Sequence, residues 1–568
     1  MSGRGQASPE TVLRRRQPGL RAALAALLLL AALALTAAGP AAAGGGHGGS
    51  ALVPSPLLNA ARANPDRVFE VIVQSRGKGS GAAAGAVGQA IAHVRGKASG
   101  LKRAFATIPA VSAELTGAQL LDLAESDDVL AITGDDTLVA AGDSTSTCTT
   151  CPFEGIYWPF LAGVTSFWQA SGKKAAPAPQ APAIAVVDSG IEAANVFFGG
   201  RVVQQVPLVS DGANSPGDGY GHGTFVAGIA AGTVGTWGGA SPTSKIVSLD
   251  VVNDAGEATT SDVIAAVDWI YANKGAYGIR VATFALTGTQ PTTFMYDPLD
   301  KAVEKLWLSG VVVVASAGNY GTVDSPSGVL FAPANDPFVI TAGATDMNDT
   351  LDPVDDFVAP WSAYGYTPDG FAKPELSAPG RYMIGTVPTS AVMPLLRPDR
   401  LVAAGWMWMS GTSFSAPVIA GAAADVLALH PMWSPDQVKG ALMLTAKPLA
   451  GGPAWSGGVG QVQAAAAAAV SDPPNPNLAL NRFLVPDPSG GPTPVFDAAG
   501  WSATAATDPA WATASWTTAS WTTASWTTAS WTTASWTTAS WTTASWTTAS
   551  WTTGAQPADV QLNLSWLP

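Results

Sequence analysis

The chain has 568 residues, 12% of them charged, with 28 Lys and Arg against 41 Asp and Glu for a net charge of −13. This length suggests about three structural units, and so acidic a chain is not expected to bind nucleic acid, whose affinity comes largely from clustered Lys and Arg. Two Cys, Cys148 and Cys151, are too few for a disulfide framework or a four-ligand zinc site, and four His (His47, His93, His222 and His430) make the search for an imidazole base short.

At the N-terminus, Arg14, Arg15, Arg16 and Arg21 precede an uncharged apolar run, Ala22–Ala38, and then Gly39-Pro40-Ala41-Ala42-Ala43. Basic region, short apolar run and small-residue cleavage site predict a secretory signal over residues 1–43, removed on export. An uncleaved anchor is the competing reading, since the run lies at the lower edge of what spans a bilayer; helix-breaking Gly39 and Pro40 argue against it. The three consecutive arginines also raise twin-arginine export.

Residues 44–140 predict a small α+β domain. Val68–Val73 reads as a strand, Gly85–Val94 as an Ala-rich helix, Ala104–Ile108 as a strand, Gly117–Ala124 as a helix capped by Thr116, and Val129–Ile132 as a closing strand. The order fits a split βαβ sheet. From about 150 to 470 the pattern is that of one large α/β domain. Ala183–Val187 and Val311–Ala315 are continuous apolar runs, as in parallel strands buried on both faces. Helices are expected over Ser261–Asn273, with Ser261 as N-cap, and over Asp297–Leu308.

Four residues stand at the ends of such elements, where helix-covered parallel sheets place their chemistry. Asp188 closes a strand in AVVDSGI, His222 opens a helix in GYGHGTFVAGI, Asn319 follows a strand in ASAGNYG, and Ser413 opens a long helix in MSGTSFSAPVIAG. Singly, each has an ordinary structural explanation: Asp-Ser-Gly forms turns, His occurs in Gly-rich loops, and Ser caps helices. Together they are the parts of nucleophilic catalysis, in which a hydroxyl gives its proton to an imidazole held by a carboxylate while an amide and a backbone N–H stabilise the oxyanion.

With these motifs in the order Asp, His, Asn, Ser, the sequence resembles the subtilase family of serine peptidases over roughly residues 150–470. The resemblance implies a subtilisin-like parallel sheet flanked by helices. It also implies Asp188 as orienting carboxylate, His222 as base, Ser413 as nucleophile and Asn319 as oxyanion donor. Residues 44–140 look like the family's propeptide, an intramolecular inhibitor removed by self-cleavage, with the junction between Val139 and Cys148. The implied partners are protein or peptide substrates and the chain's own propeptide, and the implied location is extracellular or at the cell surface. No cofactor is required for the chemistry. Calcium, which many subtilases bind, has candidates in Asp352, Asp355 and Asp356, equally readable as a solvated loop without an EF-hand pattern.

Departures from the family pattern are also present. The substrate-pairing strand, usually Asn-x-Ser-x-Gly, is represented by Thr283-Phe284-Ala285-Leu286-Thr287, so Ala285, Leu286 and Thr287 are the expected substrate contacts and Thr287 is expected to narrow the pocket. Main-chain pairing survives such changes. Phe225, just after the His motif, reads as packing. Cys148 and Cys151 suit a local disulfide stiffening the mature N-terminus better than a redox pair, because no thioredoxin-like unit surrounds them.

Residues 472–500 read as a Pro- and Gly-rich linker, and 501–568 as a low-complexity tail in which nine Trp recur every five residues from Trp511 to Trp551. A period of five gives no single apolar stripe on either a helix or a strand. A disordered array and a β-ribbon both remain open. For the tail's role three readings stand: envelope polysaccharide stacking on Trp, O-glycosylation, and a tandem expansion without function. A noncatalytic surface adhesin on a subtilase-like scaffold is the alternative for the whole chain; intact Asp188, His222, Asn319 and Ser413 favour the enzyme.

Overall fold

The computed structural model describes residues 51–507 except 78, 95–99, 141–156, 169–179, 235–236, 323–324, 349, 451–452 and 454–455. The expected signal, His47, Cys148, Cys151 and the Trp repeats lie outside the described residues.

The first domain contains α1 (Ser55–Ala63), β1 (Val68–Ser75), α2 (Ser80–His93), β2 (Gly100–Ala104), β3 (Ala110–Thr116), α3 (Gly117–Ala124) and β4 (Val129–Gly134). Its strands form an antiparallel sheet in the order β2-β3-β1-β4. Thr116 caps α3 as expected, in a reciprocal box with Gln119. The expected strand Ala104–Ile108 is displaced: β2 ends at Ala104, and residues 105–109 form the turn into β3. Apolar Phe105 and Ile108 mimic a strand but are buried for another reason, as they join the core of the following domain. The period-two alternation of β1 likewise divides its side chains between two cores. Phe69, Val71 and Val73 pack under α2 and α3, whereas Ile72 joins the larger core.

A short strand, β5 (Thr137–Ala140), leaves this domain and pairs with the next. The large domain runs through β6 (Ala183–Asp188), β7 (Val202–Pro207), α4 (His222–Ala231), β8 (Ile246–Asp250), β9 (Glu257–Thr259), α5 (Thr260–Tyr277), β10 (Ile279–Phe284), β11 (Leu286–Gly288), α6 (Pro298–Leu308), β12 (Val312–Ser316), β13 (Ile340–Asp346), β14 (Phe357–Val358) and β15 (Leu376–Pro379). The main sheet has the order β14-β13-β12-β10-β6-β8-β7, with β15 beside β13; only β14 is antiparallel. Every residue of β6, β8 and β12 is buried, which explains the unbroken apolar runs of Ala183–Val187 in β6 and Val312–Ala315 in β12.

Helix α5 starts earlier than the sequence suggested, with Thr259 rather than Ser261 accepting the capping bond, and ends at left-handed Gly278. Helix α6 lies where expected, with Asp297, the first residue of the expected stretch, as its N-cap. Beyond β16 (Met383–Thr386), α7 (Val392–Leu396), β17 (Leu401–Ala403) and β18 (Trp406–Met409), the long helix α8 (Thr412–Leu429) crosses the sheet. It is apolar and long enough to cross a membrane, but it is buried inside the fold.

The stretch 472–500 is not a free linker. After α9 (Pro435–Thr445), the hairpin of β19 (Leu484–Val485) and β20 (Val495–Phe496) and the helix α10 (Ala498–Thr507) pack on the large domain. Phe496 and Trp501 meet Phe294 at 5.6 and 5.3 Å between ring centroids, and Lys305 holds Asp487 at 2.5 Å and the Thr493 carbonyl at 2.9 Å. Proline and glycine shape this strap, but its aromatic residues anchor it.

Candidate active site

The C-terminal end of β6 delivers Asp188, and the first turn of α4 delivers His222. His222 Nδ1 lies 2.8 Å from Asp188 Oδ1 and 3.0 Å from Oδ2, both residues being buried. The carboxylate accepts, so the proton belongs on Nδ1, and Nε2 is left as the basic nitrogen. Among the described residues Nε2 has no hydrogen-bond partner. Close backbone approach makes this junction possible. At Gly190, where φ is +90°, an added Cβ would lie 2.0 Å from the Gly217 carbonyl, and at Gly223 it would lie 2.1 Å from the Gly190 carbonyl.

Ser413 is the second residue of α8, so its backbone N–H belongs to the first turn, where helical amides have no intrahelical partner. Its hydroxyl donates to the Ala285 carbonyl at 2.9 Å. Asn319 is held by the residue before the serine: Thr412 donates to Asn319 Oδ1 from its N–H at 2.9 Å and its hydroxyl at 3.0 Å. With Oδ1 engaged on Thr412, the donor face of the Asn319 amide is its Nδ2. Phe414, the residue after Ser413, has its ring 5.3 Å from that of His222, so the two pairs adjoin at strand and helix ends; Asp188, His222 and Ser413 are buried and Asn319 is half-buried.

The sequence reading missed the carboxylates behind them. Asp218 accepts from the Ser189 hydroxyl at 2.8 Å, Gly221 N at 2.6 Å and Thr224 N at 2.7 Å. It thereby caps α4 and fixes the turn bearing His222, while Ser189 in turn accepts from Gly223 N at 2.9 Å. Burial pushes the Asp218 carboxyl up to about 6. Its signal was legible as an acid just ahead of a helix start. Asp250 ends β8 beside Asp188 in parallel register; burial pushes its carboxyl up to about 7, opposed by the hydrogen bond from Asn214.

The cleft is occupied by β5, which lies antiparallel between β9 and β11. Ala140 pairs with Leu286, Val139 with Thr287, and Leu138 with Gly288. Ala140 N also donates to the Gly256 carbonyl at 3.1 Å. Leu138 and Ala140 are buried, whereas Thr137 is exposed. Of the three expected substrate contacts, Leu286 and Thr287 pair with this strand, and Ala285 instead receives the Ser413 hydroxyl. The Thr287 side chain is buried, and among the described residues its hydroxyl has no hydrogen-bond partner.

The rest of the first domain rests on α5 and α6. Asp135 accepts from Ser261 N at 2.8 Å. Asp268 accepts from Ala106 N, Thr107 N and the Thr107 hydroxyl at 2.8, 2.7 and 2.6 Å. Arg103 pairs with Asp262 at 3.1 Å, and Gln74 bridges Lys301 and the Tyr296 carbonyl at 2.9 and 2.6 Å.

The other described histidines lie elsewhere. His93 is exposed near Asp122, and His430 stacks on Trp433 at 3.8 Å. Phe225 packs on Phe414 at 4.6 Å, as expected of a packing residue. The acidic candidates do not converge. Asp355 accepts from Asn348 and Thr350, Asp352 from Val354 N, and Asp356 turns inward to Gln461; among the described residues no group of three potential ligands is placed to hold a metal ion.

A parallel sheet carrying a buried Asp-His pair, with a helix-borne serine and an amide beside it, defines a hydrolase-type nucleophilic site. Residues 180–462 match the Subtilase family. The chain is 32% identical over 285 residues to Subtilisin DY of Bacillus licheniformis, covering 50% of this chain and 90% of that protein. It is 34% identical over 265 residues to Serine protease AprX of Bacillus subtilis (strain 168), covering 45% of this chain and 59% of AprX. Among solved structures, fervidolysin from Fervidobacterium pennivorans, a keratinolytic enzyme related to subtilisin, shares the fold at a TM-score of 0.56 and 20% identity, over 75% of this chain and 64% of that one. The chain belongs to the subtilase family.

Proposed function

We propose that this protein is a secreted serine endopeptidase made as a self-processing precursor, in which residues 44–140 inhibit the domain that follows. The observation that carries the reading is β5. A segment of the chain's own polypeptide lies as an added strand between β9 and β11, one residue short of the carbonyl that receives the Ser413 hydroxyl.

In the reaction, the Ser413 hydroxyl turns from Ala285 to His222, whose Nε2 takes its proton as Oγ attacks the peptide carbonyl. The oxyanion is stabilised by the Ser413 N–H and Asn319 Nδ2. His222 then gives the proton to the departing amine, and water, activated by the same imidazole, hydrolyses the acyl-enzyme. Asp188 holds the tautomer and balances the imidazolium charge. The chemistry as written uses only side chains, backbone and water.

The last described pair of β5 is Ala140 with Leu286, one residue from the carbonyl that receives the Ser413 hydroxyl, so we assign processing to the Ala141–Gly142 bond, inside the expected junction. The decisive experiment is to express the wild type and Ser413→Ala, label both with a serine-directed phosphonate, and sequence the mature N-terminus. Labelling and a new terminus at Gly142 in the wild type alone are expected. Unlabelled, unprocessed wild-type protein overturns the reading.

A further inference from the structure

Four of the fourteen large apolar side chains that the described residues leave exposed fall within eight residues: Leu395 at 67%, Leu396 at 69%, Leu401 at 43% and Val402 at 38%. They are carried by α7 and β17, a lobe between Val387 and Gly405 whose two ends are both tied to the catalytic machinery. At one end, Val392 N and Met393 N donate to the Gly219 and Tyr220 carbonyls, each at 2.9 Å. There Val387, Ala391 and Met393 are buried around Gly221, the residue before His222. At the other end, β17 pairs with β18, which runs directly into the Ser410–Ser413 turn.

The lobe is firmly seated. Arg400 is fully buried inside it, with its guanidinium 4.6 Å from the Trp408 ring and Nη1 3.6 Å from Met409 Sδ. Trp408 in turn packs edge-on against Tyr382 at 5.6 Å. A cationic side chain is thus spent on holding the lobe together from within, while leucines face water. Solvation alone would favour the reverse arrangement, and exposed apolar side chains concentrated on one lobe point to a binding role.

The position of the lobe identifies the occupant. Strand β5 marks the cleft on the acyl side of the bond to be broken, and its direction carries a bound chain from β9 and β11 toward Ser413 and His222. Tyr220 stands at the divide. An added Cβ at Gly256, which receives the Ala140 N–H, would meet the Tyr220 ring at 2.7 Å, and the Tyr220 carbonyl receives the Met393 N–H. The lobe therefore begins where the acyl-side wall ends, continuous with the cleft.

We propose that the lobe is a docking surface for the leaving-group side of a polypeptide substrate, selecting apolar residues about two to four positions after the scissile bond, the span an extended chain covers in roughly 7–13 Å. This rests on the peptidase reading above and adds a preference to it. Leu395 and Leu396 supply the contact nearest His222, and Leu401 and Val402 extend it outward.

The test uses the mature protein and three substrates with one acyl-side sequence: a p-nitroanilide ending at the scissile bond, a quenched-fluorescence peptide with Leu at the second to fourth leaving positions, and the same peptide with Gly there. The wild type is expected to turn over the Leu peptide about ten- to a hundred-fold faster than the Gly peptide in kcat/KM, chiefly through KM, as burial of one or two apolar side chains allows. Leu395→Ser/Leu396→Ser is expected to bring the ratio down toward one. A wild-type ratio near one, or a ratio unaffected by the double substitution, overturns the proposal. The wild-type ratio needs no variant, so a misfolded double mutant leaves the decision intact. Failure of the wild type on the p-nitroanilide is a different result and counts against the peptidase reading itself.

Discussion

Replacing Leu138 with Ala removes three carbon atoms from a side chain that is 2% exposed, held in the cleft by a strand paired on both edges. At about 0.8 kcal/mol per buried methylene, the lost transfer energy is roughly 2.4 kcal/mol before any cavity cost. That energy corresponds to a weakening of inhibitor binding by about 60-fold. Val139, next in the strand, is only half-buried. Its truncation removes two carbons at about half their full value, roughly 0.8 kcal/mol, or about fourfold. The assay is dilution of the autoprocessed complex: activity on a p-nitroanilide appears as the inhibitor dissociates, and the concentration of half-maximal activity reports affinity. Leu138→Ala is expected to move that midpoint far more than Val139→Ala. Equal shifts, or a Leu138→Ala shift below about fivefold, would refute the claim that β5 occupies the cleft through alternate inward side chains.

Asn319→Ala is expected to lower kcat by about 10²–10³ with little change in KM, the range known for loss of one oxyanion donor in subtilisin, a relative; a loss confined to KM would remove Asn319 from that role. Thr287→Gly is expected to widen the pocket and raise the ratio of kcat/KM for Phe- over Ala-anilides by about 10- to 200-fold, and an unaltered ratio would show that Thr287 does not form its wall. Burial raises the Asp135 carboxyl to about 6, opposed by its hydrogen bond from the Ser261 N–H. The bound state therefore takes up protons more readily than free Asp135, whose ordinary value lies near 4, and inhibitor binding is expected to strengthen as pH falls from about 7 to 4. Asp136 and Asp268 are shifted the same way by burial. Asp135→Asn should flatten part of that dependence when complex retention is followed by sedimentation, and an unchanged slope would exclude Asp135 as a contributor.

The candidate catalytic residues were legible because they occupy places that sequence pattern marks clearly: ends of apolar strands and starts of small-residue helices. The supporting layer was less legible, for physical reasons. Asp218 contributes by hydrogen bonds to backbone groups, and Gly-Tyr-Gly around it gives no periodic signal. The misplaced strand at 104–108 and the folded segment at 472–507 share another cause. Phe105, Ile108, Phe496 and Trp501 are apolar because they seal a neighbouring element, which local pattern cannot distinguish from a strand or, amid prolines, from a linker. Thr259 rather than Ser261 caps α5 because both are good caps, and the turn geometry of β9 decides between them.

Helices α5 and α6 serve two purposes that impose opposite demands. Their inner faces are core, with Val263, Ile264, Val267, Leu299, Val303 and Leu306 fully or nearly fully buried, so they cannot shift when the inhibitor leaves. Their outer faces carry the polar contacts to the first domain: Asp262 and Asp268 on α5 and Lys301 on α6. Contacts of that kind lose little when water replaces the partner. Specific retention should therefore reside mainly in apolar contacts: Leu138 inside the cleft that substrate also needs, and Ile72, Phe105 and Ile108 outside it. Substrate then competes directly for the Leu138 share of that contact, while the helices are expected to keep the same shape once the first domain has left.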